Sequence, residues 1–176
     1  MPDPDPIHPA AIDPEALAAQ CEFRATRRSG PGGQNRNKVE TAVVLTHRPT
    51  GLRAEASERR TQGENRRAAL ARLRIELALC IRRSMDRDEG SSLVPSALWR
   101  SRCRGGRIVV SPDHDDFPAL LAEALDVLSA LDDEPKPASE RLGCSATQLV
   151  KLLKEKPRAL LQVNERRRQA GRHPLR

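Results

Sequence analysis

The run VETAVVLTHRPTGLRAEA, residues 39–56, narrows the fold more than any other part of the chain. Val39, Thr41, Val43 and Leu45 alternate with Glu40, Ala42, Val44 and Thr46, the period of a strand with two different faces. His47-Arg48-Pro49-Thr50-Gly51 is a turn, with proline setting φ and glycine free to adopt φ > 0. Leu52, Ala54 and Ala56 then resume the alternation, which predicts a β-hairpin. Upstream, Cys21, Phe23 and Ala25 alternate in the same way and predict a half-buried strand over residues 21–26.

Beyond the hairpin the period changes. In NRRAALARLRIELALCI, Leu70, Leu73, Leu77 and Cys80/Ile81 recur at helical spacing opposite Arg66, Arg67 and Arg74, giving an amphipathic helix with a basic outer face. Strands followed by a covering helix imply an α+β fold: a small, mostly antiparallel sheet with a packed helix. The core must be aliphatic, because Phe23, Trp99 and Phe117 are the only aromatic residues among 176. The length suits one modest domain with an appendage.

Charge is distributed in blocks. Residues 1–23 carry a net charge of −5, residues 24–83 carry +10, residues 84–140 return to −6, and residues 141–176 supply +8. Two basic blocks separated by acidic ones indicate two polyanion-contacting faces. Arginine dominates the first block, and its planar fork suits phosphate. So few aromatics exclude recognition by base stacking, leaving phosphate, sugar and groove shape.

Residues 1–20, acidic and proline-rich, read as a disordered N-terminus with neither the basic nor the apolar region of a signal peptide. No apolar run is long enough to span a membrane. Cys21, Cys80, Cys103 and Cys144 form no C-x-x-C pair, which argues against zinc and against a disulfide framework, and fits a reduced, cytoplasmic setting. No metal site or cofactor is implied. A short strand is expected at 107–111. An acidic helix start follows at DHDDFP, and Leu121, Leu125, Leu128 and Leu131 make that helix amphipathic. DDEPKP, residues 132–137, reads as a linker. Residues 138–163 divide into short helices, one ending near Gly143, one starting at Ser145 and one opened by Pro157. The Leu-Gly-Cys-Ser turn fits a helix-turn-helix and fits a plain three-helix cap equally well. Residues 164–176, with Arg166, Arg167 and Arg168, read as a basic tail that orders on a partner.

One stretch is too specialised for a structural loop: RRSGPGGQNRNK, residues 27–38, lies between the first strand and the hairpin. Gly32 and Gly33 permit torsions closed to other residues and a close backbone approach to a target. Arg27, Arg28, Arg36 and Lys38 surround them with positive charge. The carboxamide of Gln34 neither gains nor loses a proton near neutral pH, so it is no general acid or base. Any catalysis there works by positioning and by hydrogen bonds to developing charge, with the proton shuttle supplied by substrate or surrounding RNA.

SGPGGQNRNK, followed by HRPTG and by RRTQGEN leading into a basic helix, resembles the GGQ domain of class I peptide chain release factors and their ribosome-rescue relatives. The resemblance covers about residues 21–83, and departs from the family at Arg36, where a small apolar residue is usual. It implies that Gly32, Gly33 and Gln34 form the catalytic triplet of an extended loop, within a domain spanning 21–131. Such a loop enters the peptidyl transferase centre, where water attacks the ester of peptidyl-tRNA. The resemblance also implies the ribosome as partner, through rRNA and peptidyl-tRNA, and a glutamine methyltransferase acting on Gln34. Arg27, Arg28, Arg36, Lys38, Arg66, Arg67, Arg166, Arg167 and Arg168 are the expected RNA contacts. About twenty residues precede the domain, too few for a decoding domain, so the stop-codon-independent rescue branch and a monomer are expected. The alternative is a non-catalytic ribosome- or nucleic-acid-binding protein that works through its helix-turn-helix.

Overall fold

The computed structural model describes residues 7–26, 41–83 and 95–176. The chain forms two compact units, Met1–Leu77 and Ala78–Arg176.

In the first unit, β1 (Cys21–Thr26), β2 (Ala42–His47) and β3 (Arg53–Ala56) form an antiparallel sheet in the order β1-β2-β3. The pairing runs from Cys21 opposite His47 to Thr26 opposite Ala42 on one side, and from Val43 opposite Ala56 to Thr46 opposite Arg53 on the other. Val43, Leu45, Ala54 and Ala56 are buried, as the alternation of the hairpin predicts. The central strand β2 also buries Ala42 and His47. β1, one of the two edge strands, departs from expectation: Phe23 is 42% exposed.

Helix α2 (Gln62–Cys80) buries Ala69, Leu73 and Leu77, and the boundary between the units falls within its last turn. A capping box starts it. Thr61 Oγ1 accepts the Glu64 N–H at 3.2 Å, and a Glu64 carboxylate oxygen accepts the Thr61 N–H at 3.3 Å. Arg72 ties the helix to the sheet by donating to the Glu55 carbonyl at 2.6 Å and to the Glu58 carboxylate at 2.6 Å. Arg74, expected on the outer face, is buried, and Cys80, expected on the apolar stripe, is exposed.

The reason for the burial of Arg74 lies in the N-terminal segment. Residues 8–20, read from sequence as disordered, form a 3-10 turn (Pro9–Ala11) and a short helix α1 (Pro14–Ala19). Asp13 caps α1 by accepting the N–H groups of Glu15 and Ala16, and Leu17 and Ala10 are fully buried. The Arg74 guanidinium donates to the Ala10 carbonyl at 3.2 and 3.3 Å. A buried guanidinium needs acceptors, and this turn provides one.

The second unit is helical around α4 (Phe117–Ala130). The leucine stripe expected there is present, but Phe117, Ala119, Leu120, Ala122, Ala124 and Val127 are buried as well. A helix buried on most of its sides is a core helix, so α4 is the centre of the unit and not an amphipathic cover. Around it stand α3 (Ala97–Arg102), α5 (Pro135–Leu142), α6 (Ala146–Lys154) and α7 (Pro157–Gln169). Trp99 of α3 is buried and donates its indole N–H to the Leu142 carbonyl at 2.7 Å. The strand expected at 107–111 is shorter. β5 (Arg107–Ile108) pairs with β4 (Cys103–Arg104).

The segment expected to be a linker is part of this unit. α5 begins at Pro135, and Asp132 and Asp133 hold left-handed φ values of 56° and 57°. The basic tail differs from expectation too, since α7 continues through Gln169. Beyond it the chain folds back: the Asn164 side chain accepts the Leu175 N–H at 2.7 Å and donates to the Leu175 carbonyl at 3.1 Å.

Candidate RNA-facing site

Gly32, Gly33, Gln34, Arg27, Arg28, Arg36 and Lys38 lie outside the described residues. The structure shows the frame they hang from. Thr26 and Ala42 are cross-strand partners at the last rung of the β1–β2 ladder, so the GGQ triplet belongs to the connection between two paired strands.

One side chain clasps the return of that connection to the sheet. Asn65, fully buried in the first turn of α2, donates from Nδ2 to the Thr41 carbonyl at 2.7 Å and to the Arg59 carbonyl at 3.1 Å. Its Oδ1 accepts the Arg59 N–H at 2.9 Å. One amide thus joins the residue before β2, the turn at Arg59 and the helix start. Each of these backbone groups is costly to leave unpaired.

The HRPTG turn braces the opposite end of the ladder. His47 is buried, with Nδ1 at 2.8 Å from Thr50 Oγ1 and Nε2 at 3.1 Å from Gln20 Oε1. Burial holds its pKa below the usual histidine value, since the imidazolium would lose solvation there. Arg48 donates to the carbonyls of Gln20 at 3.1 Å and Ala19 at 2.5 Å, closing the C-terminal end of α1.

The predicted RNA contacts divide into distinct groups. Arg66 and Arg67 are exposed on α2, and the Arg66 guanidinium stands 5.7 Å from the centre of the Phe23 ring, a cation–π pair that holds its head at the sheet edge. Arg59 and Arg60 are exposed just ahead of α2 and add to this basic surface. In the second unit, Arg166 is held by the Asp133 carboxylate, and Arg167 is buried with its guanidinium on the carbonyls of Asp133 and His173. Arg168 is exposed and pairs with Glu165 at 2.8 Å.

Asn65 escaped the sequence reading because an asparagine in the first turn of a helix ordinarily faces water. Its place in RRTQGEN was the available signal. Among the described residues no group of three or more His, Cys, Asp or Glu side chains is placed to hold a metal ion. The described frame offers rigidity and positive charge, which suits a loop that works by positioning.

Residues 11–96 match the RF-1 domain family. The chain is 54% identical over 67 residues to "Peptide chain release factor PrfB1, chloroplastic" of Arabidopsis thaliana, a match covering 38% of this chain and 15% of that protein. It is 40% identical over 77 residues to "Peptide chain release factor 1" of Verminephrobacter eiseniae (strain EF01-2), covering 44% of this chain and 20% of that one. The chain thus spans a fifth or less of the length of these relatives. The sheet, its GGQ-bearing connection and α2 fall inside the matched residues, so the part of the chain that is similar to the RF-1 domain is the part that carries the GGQ sequence.

Proposed function

We propose that this protein hydrolyses the ester bond of peptidyl-tRNA in the peptidyl transferase centre of stalled ribosomes, without reading a stop codon. The observation that carries this reading is the RF-1 match over residues 11–96, which includes Gly32, Gly33 and Gln34 in a connection anchored at Thr26 and Ala42. The two glycines let the backbone approach the ester, and the Gln34 N–H meets the developing oxyanion while its side chain orders water. Arg27, Arg28, Arg36 and Lys38 hold the loop against RNA phosphate, and Arg66 and Arg67 extend that surface along α2. The protein acts as a monomer, and Gln34 is the substrate of a glutamine methyltransferase.

The test is release of labelled peptide from ribosomes stalled on an mRNA without a stop codon, with wild type beside Gln34→Ala. Release by wild type, reduced at least about a hundredfold in Gln34→Ala, is expected. No release from any stalled complex to which the protein binds would overturn the reading. A second reading, a non-catalytic RNA-binding role, is favoured by the α5–α6 turn of the second unit and is unaffected by Gln34→Ala.

A further inference from the structure

The second unit carries a short hairpin that peptide release does not use. Its tip is Gly105-Gly106, both at positive φ (55° and 75°), the sign pattern of a type I′ turn, which suits the twist of a two-residue β-hairpin. Arg104 and Arg107 flank the tip as direct cross-strand partners. Both are exposed, and neither has a side-chain hydrogen bond or ion pair among the described residues. Like charges directly opposite across a ladder are destabilising. The fold therefore keeps a pair that works against it.

The hairpin is docked firmly enough to aim that pair. Gly106 forms a parallel bridge to Cys144, and its carbonyl accepts the Ser145 N–H at 3.2 Å. The Cys103 thiol reaches the Gly143 carbonyl at 3.4 Å. Gly143, at φ 64°, is the turn between α5 and α6, and Ser145 caps α6 by accepting the Gln148 N–H at 3.2 Å. The arginine pair therefore stands beside the N-terminal turn of α6, the second helix of a helix-turn-helix-like pair. α6 continues the charge: Lys151 and Lys154 are exposed and without an ion-pair partner among the described residues. Lys151 and Gln148 line a hollow together with Ile108, Val110, Leu152 and Glu155.

We propose that the Arg104–Arg107 hairpin and α6 form a second RNA-binding surface, which grips the phosphates of folded RNA independently of the GGQ loop. Arginine forks engage phosphate oxygens two at a time, and the repulsion between two neighbouring guanidiniums is relieved when phosphate lies between them. No aromatic residue stands on the hairpin or on α6, so the contact is to the backbone of a helix and not to stacked single-stranded bases. The choice of RNA over DNA rests on the ribosomal reading above; the grip on phosphate does not.

The experiment uses the full chain and an RNA hairpin with a stem of about 16 base pairs, followed by fluorescence anisotropy at rising KCl. The variant Arg104→Ala/Arg107→Ala should bind roughly tenfold more weakly, and its plot of log affinity against log salt should be shallower by about two. Arg158→Ala, which removes an exposed arginine of α7, should change neither. The melting temperature of the double variant should equal or exceed that of wild type, because a repulsive pair is gone. Unchanged affinity and salt slope overturn the proposal. A fall of several degrees in melting temperature overturns the claim that the pair is held for a ligand. A DNA duplex of the same sequence, bound as tightly as the RNA and weakened equally, overturns the assignment to RNA. Gln34→Ala should keep wild-type binding to this probe, so failure of the hydrolase reading and failure of this one are seen separately.

Discussion

Arg166 and Asp133 meet fork to fork: Nε lies 2.7 Å from Oδ2 and the neighbouring guanidinium nitrogen 2.7 Å from Oδ1. Thirty-three residues separate the two in sequence. Asp133 is buried, follows Asp132 in a left-handed backbone, and gives its own carbonyl to Arg167 at 2.6 Å. Arg167 and Arg172 also reach Glu134, at 3.3 and 3.1 Å. A strained connection between α4 and α5 is thus held in shape by arginines of α7 and the residues after it.

Removing Asp133 should therefore loosen the second unit. Asp133→Ala is expected to lower unfolding stability by about 2–3 kcal/mol, from the loss of two charge-assisted hydrogen bonds inside a largely buried site. Arg166→Ala should cost a similar amount, and the double variant clearly less than the sum, because each single change removes the same pair. Urea denaturation measures all three, and additive losses would show that the pair is not a unit.

The Asn65 clasp carries the second prediction. Asn65→Ala leaves the Thr41 carbonyl and both backbone groups of Arg59 without their partner, at a cost of about 2–3 kcal/mol. Because Thr41 is where the GGQ-bearing connection rejoins the sheet, peptide release should fall more than about tenfold even well below the melting temperature. Normal release by a destabilised Asn65→Ala would make the clasp purely structural.

Acid should weaken the first unit in two stages. His47 is neutral in the fold and its pKa is depressed, so the unfolded chain binds the proton more readily. Its contribution is complete above the ordinary histidine value of 6.5 and is lost as pH falls from there through the lower value in the fold. The carboxylates of Glu58 and Glu64 are held below their ordinary value of 4.5, by backbone hydrogen bonds at Glu58 and by bonds from Thr61 at Glu64. Their contribution goes in a second, lower window. Thermal melts from pH 8 to about 2.5 check this, and His47→Gln should flatten the upper stage while leaving the lower one.

The thiols should differ in reactivity. Burial, with the neighbouring Cys103 adding to it, pushes the Cys144 thiol up to about 12, whereas Cys80 is exposed on α2. Burial also raises Cys21 and Cys103. Timed iodoacetamide labelling at pH 8 should modify Cys80 first and Cys144 last. Early labelling of Cys144 would mean that the turn between α5 and α6 opens readily.

Several features were legible because their cause is local. The β2–β3 hairpin shows in its period of two and in the HRPTG turn, and α2 in the helical spacing of Leu70, Leu73 and Leu77. Gly143, Ser145 and Pro157 announce a helix end and two helix starts. The Arg104–Arg107 hairpin was not read from the sequence: only a strand at 107–111 is expected there, because the two residues on each side of Gly105-Gly106 are too few to show an apolar period. The short helix α1 was not legible. Its residues PEALAA are good helix formers behind an Asp13 cap, but six residues are too few for a helix to stand alone, and it persists because Leu17 is buried and because the preceding turn at Ala10 receives Arg74.

Local order and the total of charge were thus determined by the sequence alone, since hydrophobic period, turn residues and caps act over a few neighbours. Tertiary structure decided which charges face outward. Arg74, Arg166 and Arg167 look in sequence like members of basic surfaces, yet each is turned to a carbonyl or carboxylate brought close by folding. Arg66, Arg67, Arg104 and Arg107 are left at the surface. A guanidinium is buried only where acceptors converge on it, and acceptors tens of residues away in sequence converge only once the chain has folded.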